Sequence, residues 1–393
     1  GPPPARGGLL ELAQELVPLV AAQAGHPYKL FRDSAARLLF VLLDVLPLEG
    51  GEAKSELQAL RAAALDTMTR LLEKGGSSLG KEQEGAGESQ EGQGEGQAQA
   101  AVKESRQARE TAVSLVVCTA MHGDSGMHEW WALPRLLPLL FEGVSDLEDQ
   151  DHSLVVKGSL RFLAQALDLS KCPSTLRALL RLLPALLSKP SWRVRSEAAN
   201  FLGVFLAKHS ASLSSVSTGG QARAPVLDAL VELLGDDSRE ASEAARDVLS
   251  LVITSDSGRG QTHALELGAK FNKLATAGLK KRKKKRTAEA AAEAEAGAEA
   301  GEKRRLRKLL AGTQGLAALV LAFPYDVPAE VSSAMVLLGR CARESKDLGE
   351  IVKLCFMEFK RTHQDEWHRH RQALQEDALE ALNDSLEAPS YFC

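Results

Sequence analysis

The sequence predicts an all-α chain in which helical hairpins stack into a right-handed solenoid, interrupted by two disordered linkers. Three observations carry that expectation. Apolar residues recur at helical spacing in segment after segment, and no run of useful length alternates with period two. Leu and Ala supply most of the apolar content, which is 44% of the chain against 5% aromatic, a balance that favours helix. A pattern of turn, basic residue and paired alanines also recurs along the chain. Helices of that kind cannot bury their apolar faces alone, and stacking them in sequence does so.

The elements follow in order. Leu9 to Val20 and Phe31 to Leu46 read as a helix pair broken at Gly25-His26-Pro27, and Leu57 to Leu72 adds a third helix, so residues 1–74 form a first helical region. Residues 75–103 turn to Gly, Glu, Gln and Ser, too polar to offset the entropy of ordering, and read as a disordered linker. At its entry Gly75, Gly80 and Lys81 match the spacing of a phosphate-binding loop, but a helix precedes them, disorder follows, and Glu82 stands where a magnesium-holding hydroxyl is needed. ATP binding is excluded on that ground.

Residues 104–278 resume the helical pattern in Ala108 to Met121, Leu133 to Phe141, Val155 to Leu167, Leu176 to Leu187, Arg193 to Lys208, Val226 to Leu234 and Ala241 to Ile253, separated by Gly, Pro, Ser or Asp. The recurring pattern appears as His26-Pro27 with Arg32-Asp33 and Ala35-Ala36, as Pro190 to Arg195 with Ala198-Ala199, and as Asp236 to Ala241 with Ala244-Ala245. It looks like a HEAT unit, with small residues where helices approach closely. Residues 279–305 form a second linker: the cationic run Lys280, Lys281, Arg282, Lys283, Lys284, Lys285 and Arg286, then an Ala/Glu tract from Thr287 to Glu302. Beyond it, Leu306 to Leu321 is helical, two prolines break the chain across Phe323 to Pro328, and Val352, Cys355, Phe359, His363 and Trp367 line one face of a long helix. A last helix through Leu379, Leu382 and Leu386 closes a domain over 306–388, and Pro389 releases a free tail over 389–393.

Charge and cysteine usage narrow the function. Lys plus Arg number 48 against 52 acidic residues, a net charge of −4, so no general affinity for nucleic acid is expected. The cationic run reads as a nuclear localisation signal recognised by an importin, against the plainer reading of a solubilising loop, and we favour import. Direct nucleic-acid binding is the weakest reading because no aromatics interleave the cations. Cys118, Cys172, Cys341, Cys355 and Cys393 are scattered, odd in number and without CxxC spacing, which argues for a reducing compartment and against a structural zinc. No stretch is long and apolar enough to suggest a membrane span, and no signal peptide is evident. The chain opens at Gly1 without an initiator Met and reads as the C-terminal part of a longer protein.

No pairing of nucleophile and base stands out, so no catalytic residue is expected. His363, His368 and His370 near Cys355 invite a metal reading, but only 363 and 370 share a helical face, and structural histidines are the preferred account. The best candidate site is the end of the chain, Tyr391-Phe392-Cys393, where two rings and a terminal carboxylate can enter a pocket and pair with a lysine. On physics alone a frayed terminus stands beside it.

A resemblance tips that balance. Phe323-Pro324-Tyr325-Asp326-Val327-Pro328, then Glu358-Phe359-Lys360-Arg361-Thr362-His363-Gln364-Asp365-Glu366-Trp367, then Ala388-Pro389-Ser390-Tyr391-Phe392-Cys393 resemble, in order and spacing, the C-terminal domain of the large single-chain, ATP-independent HEAT-repeat proteasome activators of the bleomycin-resistance type. Ala329-Glu330-Val331 departs from the Trp-Met-Pro step usual there. The resemblance implies a non-enzymatic cap on the alpha ring of the proteasome core particle, promoting ubiquitin-independent degradation of peptides and unfolded proteins, in nucleus and cytoplasm. It implies that the terminal carboxylate pairs with a lysine between two alpha subunits and that the penultimate ring repositions a gate turn. Phe392 stands where tyrosine is usual. Family members also bind acetylated histones, in a DNA-repair role, and hold inositol phosphate in basic openings. Near Ile253-Thr254-Ser255-Asp256 the Asn-aromatic pair of an acetyl-lysine reader is missing, and no residues can be assigned to inositol phosphate. The rival expectation is a nuclear HEAT-repeat scaffold or transport adaptor with an incidental aromatic tail.

Overall fold

The computed structural model describes residues 133–144, 173–208, 220–257, 262–280 and 291–386 continuously, with isolated residues of 12–38 and 156–165. The chain divides into two compact units, Gly1–Leu182 and Leu183–Cys393. In the first, α1 (Leu133–Gly143) buries Leu137, Leu140 and Phe141, spaced by three or four residues as an amphipathic helix requires. The described residues of the Leu9, Phe31 and Val155 segments are helical, apart from Tyr28 between the first two. The expectations for the third helix at 57–72, the linker at 75–103 and the segment Ala108 to Met121 lie outside the described residues.

From Leu183 onward the helices form two layers. After α2 (Pro173–Leu187) come α3 (Trp192–Lys208), α4 (Gly220–Leu233), α5 (Arg239–Ser257), α6 (Thr262–Leu279), α7 (Ala291–Leu321), α8 (Ala329–Ala342), α9 (Lys346–Thr362), α10 (Trp367–Ala373) and α11 (Glu376–Leu386). One layer holds α3, α5, α7 and α9 side by side and parallel, because their pairings climb together. Ser196 Oγ donates to Glu240 O at 3.4 Å, Gly203 faces Val248, Arg246 Nη1 donates to Gln314 Oε1 at 3.5 Å, Thr254 Oγ1 donates to Ala322 O at 2.9 Å, and Cys355 Sγ donates to Ala317 O at 3.9 Å. The second layer runs the other way, with α4 returning into α5, α6 into α7 and α8 into α9. Stacked hairpins of this kind are an all-α, HEAT-like solenoid.

Two sequence features hold the stack. Arg195 lies across the turn between α4 and α5, donating from Nε and Nη2 to the two Asp236 carboxylate oxygens at 2.8 and 2.7 Å, and from Nη1 to the Lys189 and Pro190 carbonyls. Both side chains are largely enclosed, at 15% and 12% exposure, so this fork-to-fork pair sits where its geometry counts. The alanines of the motif, Ala198, Ala199, Ala241, Ala244 and Ala245, are buried where α3 and α5 meet. The second feature is the α6–α7 hairpin, closed on glycines. A Cβ on Gly278 would lie 2.6 Å from Leu309 Cα, one on Gly312 would overlap the Ala275 backbone, and one on Gly315 would overlap the Phe271 ring.

Three sequence expectations need correction. The sequence pattern predicts a second linker over 279–305, but α7 is helical from Ala291, because Ala and Glu are strong helix formers and Arg305 anchors the segment by donating to Gly278 O at 2.6 Å. Helix α6 is not among the helices the sequence predicts, since its buried face is Ala264, Leu267, Gly268, Phe271, Ala275 and Gly278, a weak apolar signal among lysines. The long helix carrying Val352 to Trp367 instead stops at Thr362 and restarts at Trp367.

Replacing Gly312 by Ala forces α6 and α7 apart against a packed core, a cost of about 1–3 kcal/mol. The expected result is a melting temperature lower by roughly 2–4 °C per kcal/mol, read by circular dichroism at 222 nm; an unchanged melt would mean the seam is slack.

Candidate functional site

The tail over 389–393 is the site the sequence singles out, and it follows a small domain made by the end of α7 together with α8 to α11. Helix α9 starts at an N-cap Ser345, whose Oγ accepts from Leu348 N at 3.3 Å, satisfying one of the helix's orphan donors. Leu348, Ile351, Val352, Cys355, Phe356 and Phe359 then face inward at helical spacing. The opposite face presents Lys353, Leu354, Met357, Lys360 and Arg361 to solvent, with Arg361 paired to Glu358. That pairing, mainly a side-chain hydrogen bond, holds the Glu358 carboxyl below its ordinary range.

The segment Phe323 to Pro328 crosses from α7 to α8. Phe323 is buried at 7% exposure and Tyr325 stands out at 80%. Its inner side meets His363, the C-cap residue of α9, which is 1% exposed. The His363 ring stacks on Phe359 at 4.1 Å and meets His370 edge-on at 4.7 Å. Its Nδ1 lies 2.8 Å from Phe359 O and 3.0 Å from Thr362 Oγ1, and its Nε2 lies 3.3 Å from Asp326 O. Thus a single imidazole joins the end of α9 to the loop. His370 is buried too, and burial first, then the neighbouring His363, lowers its pKa. His368 is exposed and takes no part. Among the described residues no group of three or more His, Cys, Asp or Glu could hold a metal.

Helix α11 lies parallel to α8. Gln375 N donates to Ser332 Oγ at 2.9 Å, Gly339 leaves room for Ala381, and Arg343 Nη2 donates to Asp384 Oδ2 at 3.1 Å. With Ala378 and Leu382 buried, this helix fixes the position of Leu386, the last described residue before the tail. Tyr391, Phe392 and Cys393 themselves lie outside the described residues, as do Lys281, Arg282, Lys283, Lys284, Lys285 and Arg286. Lys280, at the end of α6, is exposed. Thr254, in the stretch read for acetyl-lysine recognition, instead bonds α5 to Ala322 at the end of α7, and Ile253 beside it is fully buried. No helix among the described residues is long and apolar enough to cross a membrane.

Residues 306–393 match the family model for the C-terminal domain of proteasome activator complex subunit 4-like proteins. This C-terminal region belongs to that family. The matched span begins within α7 and runs through the tail. Among curated relatives, proteasome activator complex subunit 4A of Danio rerio is 28% identical over 66% of this chain, a stretch amounting to 13% of that relative. The human subunit 4 is 37% identical over 87 residues, covering 22% of this chain and 5% of that protein, and the Arabidopsis thaliana activator subunit 4 is 26% identical over 51% and 10%. The chain therefore spans a small part of its relatives' length. Among solved structures, yeast importin-beta covers 96% of this chain and 44% of its own at 12% identity and a TM-score of 0.39. A designed armadillo repeat protein covers 75% and 99% at 16% identity and a TM-score of 0.30. The helix registers described above, not these likenesses, define the fold.

Burial raises the pKa of both described thiols, pushing Cys355 up to about 12. Since the thiolate is the reactive form, neither Cys341 nor Cys355 is expected to take up iodoacetamide in the native protein at pH 8, while both label in denaturant. Peptide mapping by mass spectrometry checks this, and rapid native labelling of Cys355 would show that the α7–α9 contact opens.

Proposed function

We propose that this chain is the C-terminal part of a proteasome activator, a non-enzymatic cap that docks on the alpha ring of the core particle through Tyr391, Phe392 and Cys393. In this reading it promotes entry of peptides and unfolded proteins without ATP or ubiquitin. The observation that carries the proposal is the match of residues 306–393 to the activator family model, a span that includes the tail. The anchored root supports it, because α11, fixed to α8, gives the tail a set starting point.

The physical chemistry is that of a peg and socket. The terminal carboxylate pairs with a lysine between subunits, Tyr391 fills an apolar slot, and Phe392 takes the penultimate place with one hydroxyl fewer than tyrosine. A neutral hydrogen bond nets about 0.5–1.5 kcal/mol, so the missing hydroxyl weakens the anchor a few-fold to roughly tenfold without abolishing it. One tail makes one pocket contact, and a broader solenoid face supplies the remaining affinity. The cationic run from Lys280 to Arg286 serves importin-mediated entry to the nucleus, giving a nuclear and cytoplasmic distribution. Acetylated histones, in a DNA-repair role, and an inositol phosphate in a basic opening extend the same reading, with no residues assigned to either.

Core particles sedimented with the full chain, and hydrolysis of a fluorogenic peptide, test the proposal. The chain is expected to co-sediment and to raise hydrolysis, and deletion of Tyr391 to Cys393 to remove the rise; an undiminished response overturns the tail's role. Phe392→Tyr is expected to increase activation by a few-fold to roughly tenfold, and identical activation would mean that the hydroxyl is irrelevant.

A further inference from the structure

Helix α9 is the last helix of its layer, and Cys355 sets its orientation by meeting Ala317 of α7. Lys353 and Met357 each stand two residues from Cys355, about 200° away around the helix, so they look out on the side where a further helix of the array would lie. A terminal repeat ordinarily closes on a polar outer face. Here the middle of that face is apolar. Leu354 is 45% and Met357 50% exposed, and their spacing of three places one above the other. Tyr325, 80% exposed, extends the patch past the last turn of α9. Its place there follows from Arg361, whose pKa is raised first by the hydrogen bond with Glu358 and also by the nearby Tyr325 phenol.

The order of residues along this face is that of a helix-pairing seam. Glu350, Leu354, Met357 and Arg361 follow one another by four, three and four, the alternation along which a second helix packs. Beside them Lys346, Lys353 and Lys360 recur every seven residues, which sets them in one row flanking the strip, where charge decides which partner is accepted. All three lysines are exposed, and among the described residues none has a carboxylate within ion-pairing range. The nearby acids are engaged elsewhere: Glu358 pairs with Arg361, and Glu350 reaches Arg239 of α5 at 3.8 Å. Asp347 lies in the first turn of α9, where the helix dipole favours a negative charge.

We propose that the outer strip of α9 is the docking seam for an acidic amphipathic helix of a partner protein, whose apolar side chains cover Leu354 and Met357 and whose carboxylates meet the lysine row. Burial of the two half-exposed side chains supplies the affinity. The three cations supply the selection, since a helix with basic flanks meets like charge along its whole length. Tyr325 and Arg361 close the end of the seam with the side-chain types that most often anchor interfaces.

The full chain, titrated with a synthetic amphipathic helical peptide about three heptads long that carries Leu on its seam and Glu on its flanks, tests this. The readout is the Met357 methyl resonance, identified by its loss in Met357→Leu, with Met335, buried in α8, as the unmoving reference. The expected result is a saturable shift of Met357 alone. The same peptide with Lys flanks is expected to bind about tenfold more weakly or worse. Leu354→Asp is expected to weaken the Glu peptide by about tenfold. Lys353→Glu combined with Lys360→Glu is expected to invert the preference, so that the Lys peptide binds better, an outcome that no folding defect can produce. Equal binding of the two peptides, a stationary Met357 methyl, or an uninverted preference in the double variant overturns the proposal. So does a Met357 shift that grows with chain concentration in the absence of peptide, because a second copy then covers the strip.

Discussion

The close approach of α6 and α7 is the constraint on which the rest depends. Over residues 311–320 every position of α7 is buried, so this half of the helix has no face left for water. A helix enclosed on all sides needs partners all round, and α7 finds them in α5, α6, α8 and α9. Such crowding requires small residues. Ala311, Gly312, Gly315, Ala317 and Ala318 let backbones come together, while Thr313 satisfies its own hydroxyl on Leu309 O at 2.9 Å and Gln314 accepts from Arg246. The two polar side chains are thus accommodated without leaving the core.

From this axis the remaining pieces take their places. The Arg195–Asp236 fork fixes the α4–α5 turn, and Gly235, in that turn, comes against Arg307 of α7, whose Nε donates to Gly235 O at 3.2 Å. Arg305 reaches Gly278 O and pairs with Glu344 at 3.6 Å, so the same stretch of α7 ties the turn at the end of α6 to the end of α8. Further on, Cys355 meets Ala317 and seats α9. The root of the tail is in this way continuous with the array: α9 rests on α7, α11 on α8, and both α8 and α9 on the same buried axis.

Much of this was legible beforehand, and the exceptions have physical causes. Helices α1 to α5 announced themselves through apolar spacing, and the Arg and paired-Ala motif marked the α3–α5 contact. Helix α6 escaped because close packing replaces large apolar side chains by Gly and Ala, which erases the periodic signal that burial normally leaves. The first turns of α7 escaped because alanines and glutamates were read for their polarity rather than their helix propensity. His363 and His370 are both buried, but nothing in their spacing reveals a carbonyl at each nitrogen of His363, one from its own helix and one from a loop far back in the chain. For the tail and the cationic run, residue order and family likeness carry the reading, and the described structure reaches only their attachment points.

Helix α11 buries Ala378 and Leu382 against its neighbours and turns Glu376, Asp377, Glu380 and Asp384 outward. Repeat arrays left with an apolar end are prone to join end to end into filaments. Here α11 sets four carboxylates on its outer face, and like charges of that kind disfavour apposition of two copies through that face.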